Sequence, residues 1–139
     1  MKQIITGYLL ALQFFTALPI KKSFQINNKS ATIMYSAIPL IGLGMGGLIA
    51  GFLVLNDTYF EFSPLFTAIL LVVLHFIMTG GLHMDGVVDT GDAYFSYRDR
   101  KKRLEILDDP RIGAFGAMTL VLFVLLKIGI LYELLLRDL

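Results

Sequence analysis

The chain has 139 residues, 56% of them hydrophobic and only 17% charged, with a formal net charge of +1. Average soluble domains carry roughly 25% charge, and a mean hydropathy of +0.73 leaves a chain of this length too few polar residues to cover a soluble surface. The near-zero net charge gives no global field for nucleic acid, and the absence of cysteine excludes disulfides, thiolate metal sites and a thiol nucleophile.

In chain order, residues 3–20, QIITGYLLALQFFTALPI, are apolar and end at Pro19. That length suits an interfacial helix as well as a spanning one. Residues 21–30, KKSFQINNKS, form a basic linker that the positive-inside rule assigns to the cytoplasm. Residues 31–55 carry no charge and predict a span. The spacings Gly42/Gly46 and Gly47/Gly51 suit close helix packing there. The short acidic turn 56–61 suits the outer face. Residues 62–80 predict a second uncharged span, with His75 inside it. Two readings stand for His75, a hydrogen bond to a neighbouring helix and a functional site. After a cytoplasmic segment at 81–112, residues 113–132 predict a third span, with Lys127 placed to snorkel and Tyr132 to sit in the aromatic belt. The expected fold is all-α: a single multi-pass unit in the cell (inner) membrane, with the lipid bilayer as partner and a cytoplasmic loop region of mixed charge.

That region, Thr79 to Gly116, is the chemical centre. It holds seven of the 11 acidic residues and six of the 12 basic ones. Asp85, Asp89 and Asp92 are spaced i, i+4, i+7, so on a helix they form one stripe. Three like charges repel unless a cation neutralises them, and hard oxygen ligands suit Mg²⁺. A solvated acidic face is the plainer alternative. Gly80, Gly81, Gly86 and Gly91 serve either helix packing or close approach of a bulky ligand. His83 is a candidate acid/base group. The run Arg98, Arg100, Lys101, Lys102 and Arg103 suits anionic headgroups or a nucleotide phosphate. Arg111 is the better-placed phosphate contact. Asp109 can cap the following helix or add a metal ligand, and the residues alone do not separate these roles.

The segments GGLHMDGVVDTGDA and RLEILDDPRIGAFG resemble the paired motifs of the cobalamin synthase family, also called adenosylcobinamide-GDP ribazoletransferase. The first matches an LHxDGLADTxDG-type pattern at Leu82, His83, Asp85, Gly86, Asp89, Thr90 and Asp92. The second matches an LEIMxDxRxGxxG-type pattern at Leu104, Glu105, Ile106, Asp109, Arg111, Gly113 and Gly116. LLALQFFTALPI and SAIPLIGLGMGG also resemble the family's opening helices. Met84 departs from a Glu common in the family, and Asp108 from a basic residue.

The resemblance implies a membrane-embedded, Mg²⁺-dependent transferase of cobalamin biosynthesis. It joins α-ribazole to adenosylcobinamide-GDP and releases GMP. By that resemblance the metal ligands are Asp85, Asp89 and Asp92. His83 is the expected base and Arg111 the phosphate contact, with Asp109, Gly86 and Arg103 as substrate contacts. The match covers the family's N-terminal half, so a C-terminal half or a second copy is an expected partner. Two other readings compete. A CDP-alcohol phosphotransferase-like enzyme would place Ala-Arg where Asp89-Thr90 stands, and a membrane scaffold or inactive half-protein would need no site at all.

Overall fold

The structure, a computed structural model, describes residues 2–96, 99–109 and 111–137. Arg98 of the basic run and Pro110 lie outside them. Among the described residues the chain is helical and contains no strand. Seven α-helices follow in order: α1 Lys2–Phe15, α2 Asn28–Ser36, α3 Ile38–Leu55, α4 Pro64–Thr79, α5 Leu82–Phe95, α6 Arg100–Leu107 and α7 Ala114–Leu136. They divide between two compact units, one of Met1–Ser63 with Val73–Gly80, the other of Pro64–Val72 with Gly81–Leu139.

In the first unit, α1 packs against α2. Leu10, Ala11, Met34 and Ala37 form the buried core, with Phe15, Phe24 and Ile41 against it. Close approach is possible because Gly7 has no side chain: a Cβ there would collide with Ile33 and lie 3.1 Å from the Ser30 carbonyl oxygen. The polar linker ends in a capping box. Asn27 Oδ1 accepts from the Ser30 amide at 2.9 Å, and Ser30 Oγ accepts from the Asn27 amide at 2.9 Å. The helix continues through Ala37, which keeps helical angles, and Pro39 falls in the first turn of α3, where a missing N–H is tolerated.

Among the described residues, two helical stretches are long and apolar enough to cross a membrane, Asn28–Phe60 and Ala114–Leu136. Apolar side chains such as Leu43 and Leu122 are 73% and 67% exposed, an arrangement that suits lipid rather than water. These helices mark a membrane protein. At 16 residues, α4 rises about 24 Å, less than a hydrocarbon core of about 30 Å. It reaches spanning length only when taken together with α5. The two are separated by Gly80 and Gly81, with φ of 65° and 75°. Side chains rarely adopt that left-handed backbone, and glycine does so freely.

Candidate functional site

The second unit carries the polar segment. Its α5 buries Met84, Val88, Gly91, Asp92 and Ala93, and α7 packs closely on the Val88–Asp92 part of that face. Gly91 is a packing glycine: a Cβ on it would collide with Thr119 of α7. Phe95 meets Phe115, with ring centroids 6.5 Å apart.

The start of α7 has no local cap. The residue before it, Gly113, offers no side chain, and the first helical amides would be left without acceptors. Asp92 supplies them from the neighbouring helix. Its Oδ2 accepts from the Gly113 amide at 2.7 Å and its Oδ1 from the Gly116 amide at 2.8 Å. The carboxylate is only 8% exposed and lies at the positive end of the α7 dipole. Both glycines are required, because a Cβ at either position would overlap the Asp92 carboxylate. The clue in the sequence is the capless start Ile112-Gly113-Ala114, which obliges an acceptor from elsewhere.

Asp92 is thus committed through both oxygens to the helix junction. Asp85, exposed, and Asp89, half-buried, share the α5 surface beside it. Neither forms a salt bridge among the described residues. No group of three acidic, histidine or cysteine side chains able to hold a metal occurs among those residues. A pair of carboxylates one helical turn apart still fits Mg²⁺, which commonly takes one or two carboxylates and completes its shell with water and substrate phosphates.

His83 lies two residues before Asp85, about 200° around the helix from it. It lines a groove on another side of α5 with Gly86, Thr90 and Tyr94. The structure therefore does not bring His83 together with the aspartates. Gly86 is open, with no atom within 4 Å of a Cβ built there among the described residues. Arg103 on α6 stands 5.9 Å from the centre of the Tyr94 ring, and the α6 backbone is capped by Asp99, whose Oδ1 accepts from the Lys102 amide at 2.9 Å.

Asp109 caps no helix. It clasps Arg111 instead. Arg111 Nε donates to Oδ1 at 3.0 Å, Nη2 to Oδ2 at 2.7 Å and the Arg111 backbone amide to Oδ1 at 3.1 Å. The side-chain hydrogen bonds from Arg111, then its backbone amide, hold the Asp109 carboxyl down at about 2 from the usual 3.8. The same pairing raises the Arg111 guanidinium above its usual range. A carboxylate depressed on folding contributes above its ordinary value, and its contribution is lost as pH falls through the folded one. The clasp should therefore persist at pH 4 and open only near pH 2. An NMR titration of the Asp109 carboxyl carbon should show a midpoint near 2; a midpoint near 3.8 would mean that the pair does not hold. With the Arg111 side chain 87% exposed, the guanidinium donors not used by Asp109 face outward, in a geometry suited to phosphate.

Residues 7–137 match the family model described as cobalamin-5-phosphate synthase. Curated relatives named adenosylcobinamide-GDP ribazoletransferase are similar over nearly the whole chain. The Geobacillus kaustophilus protein is 44% identical over 133 residues, which cover 96% of this chain and 51% of that protein. The Halalkalibacterium halodurans protein is 42% identical over 134 residues, 96% and 51% of the two chains. A Clostridium botulinum protein is 38% identical over 138 residues, 99% and 55% of the two chains. The chain thus spans about half the length of the curated relatives it matches. No solved structure matches it.

Proposed function

We propose, for a chain that belongs to the cobalamin-5-phosphate synthase family, that it carries the phosphoryl-transfer centre of an adenosylcobinamide-GDP ribazoletransferase. The supporting observation is local. α5 presents Asp85 and Asp89 with no Lys or Arg paired to them among the described residues, while Asp92 fixes the start of α7 and Asp109 steadies Arg111 nearby in the chain.

In the reaction, a hydroxyl oxygen of α-ribazole forms a bond to the β-phosphorus of adenosylcobinamide-GDP. The bond from that phosphorus to the bridging oxygen breaks, and GMP leaves with the electron pair. Asp85 and Asp89 would hold Mg²⁺, which when bound would supply positive charge for the pyrophosphate oxygens. Arg111 binds a phosphoryl oxygen through the donors that Asp109 does not occupy. Its guanidinium is pre-oriented by that bidentate pairing, so less rotamer freedom is lost on binding. His83 accepts the hydroxyl proton. The basic linker Lys21, Lys22 and Lys29 favours a cytoplasmic position for residues 21–30 and, with α4 and α5 crossing together, for the α6 segment that follows them.

The test is a chimera in which this chain replaces the matching half of the Geobacillus kaustophilus protein. Asp89→Asn should lower Mg²⁺-dependent GMP release about 100-fold. Unchanged turnover would remove Asp89 from the centre.

A further inference from the structure

Gly86 has no packing reason to be a glycine. Gly91 and Gly116 admit no side chain, because α5 and α7 meet at them. A Cβ on Gly86 would meet nothing within 4 Å among the described residues, yet a glycine inside a helix costs about 1 kcal/mol relative to alanine. The position lies on the floor of a groove of about 330 Å³ formed by α5 and α7. His83 stands at one end of it and Tyr94 at the other, with Thr90 between and Thr119 of α7 on the wall.

The chemistry of the lining selects the occupant. Tyr94 is 64% exposed and presents an aromatic surface, with the Arg103 guanidinium beside it. Thr90 donates its hydroxyl hydrogen to the Gly86 carbonyl oxygen at 2.6 Å, which leaves its oxygen able only to accept. An apolar slot with an aromatic end, a cation beside that end, an imidazole and a hydroxyl acceptor suits a flat heterocycle carrying a ribose. The volume is at the lower limit of ligand pockets, about 300–1,000 Å³, so it takes one ring system with its sugar and excludes the corrinoid macrocycle. Around the helix, at about 100° per residue, Gly86 falls between His83 and Thr90 on one side and Asp85 and Asp89 on the other. A missing side chain there leaves a saddle across which a ribose can reach from the groove toward the aspartates.

We infer that this groove is the nucleoside subsite, with Gly86 as its floor, Tyr94 as its stacking surface and His83 facing the ribose. The inference rests on the transferase reading above for the identity of the two nucleosides concerned, guanosine and α-ribazole.

The test uses the 139-residue chain in lipid nanodiscs and equilibrium dialysis with labelled α-ribazole and, separately, GMP. The wild-type chain binds one of them, and which one it binds assigns the groove to the nucleophile or to the leaving group. Gly86→Leu places an apolar side chain in the groove at a position where its Cβ meets nothing within 4 Å among the described residues, so binding falls at least tenfold while the thermal midpoint holds or rises. Tyr94→Ala, at an exposed position where truncation leaves the fold intact, lowers binding as well. A wild-type chain that binds neither nucleoside, or a Gly86→Leu chain that binds as well as wild type, overturns the subsite. The two readings fail separately. A chimera that releases GMP with an unchanged KM in Gly86→Leu sinks the groove alone, and a chain that binds nucleoside while its chimera releases no GMP sinks the transfer reading alone.

Discussion

Asp92→Ala will uncouple α7 from α5. Two amides at the start of α7, those of Gly113 and Gly116, lose their acceptor together. An unsatisfied buried donor costs about 1–3 kcal/mol, and the anion at the helix N-terminus adds about 0.3–1 kcal/mol. The expected loss is therefore about 2–7 kcal/mol. Thermal unfolding in nanodiscs should show it, and hydrogen exchange should rise first at Gly113 and Gly116. Asp92→Asn keeps one acceptor and presents an NH₂ group to the other amide, so it should fall between wild type and alanine. The loss should be the same with Mg²⁺ present or chelated. A destabilisation that appears only with the metal present would instead make Asp92 a ligand.

Gly116→Ala will destabilise the same junction, although alanine is the better helix former. The helix gains about 1 kcal/mol. Against it, the new methyl overlaps the Asp92 carboxylate and lies 2.8 Å from the Val88 carbonyl oxygen, a backbone atom that cannot swing aside. Overpacking of this kind costs about 1–3 kcal/mol, and the displaced carboxylate releases its hydrogen bonds as well. The sign is opposite to that expected for Gly86→Ala, where the same methyl meets nothing within 4 Å among the described residues and only the helix gain remains. Unfolding midpoints that move in the same direction for the two variants would show that the packing at Gly116 has been misjudged.

Much of the architecture is legible before any coordinates. Uncharged runs bounded by charged turns predict apolar helices, and the spacing of Asp85, Asp89 and Asp92 predicts the helix that α5 forms. What the spacing cannot reveal is which end of the stripe is buried. Asp92 faces α7 because Val88 and Gly91 carry the packing surface on that side. Its partners are 21 and 24 residues away in sequence, beyond any local pattern. The placement of His83 about 200° around α5 from Asp85 follows from the helical period once α5 is known to begin at Leu82. Asp109 had two open roles, and the structure adds the clasp on Arg111, which a two-residue spacing across a loop allows and a helix would forbid. The glycines of the polar segment also divide physically. Gly80 and Gly81 turn the backbone, Gly91 packs helices, and Gly86 stays open.

The most direct test of the account is Mn²⁺ binding by electron paramagnetic resonance, in nanodiscs, with GDP supplying the pyrophosphate. Two carboxylates with a diphosphate should hold the ion together better than either does alone. We expect the wild-type chain to take up Mn²⁺ at least tenfold more tightly with GDP than without, and Asp85→Asn with Asp89→Asn to abolish that gain. Equal Mn²⁺ uptake by wild type and the double variant would contradict it.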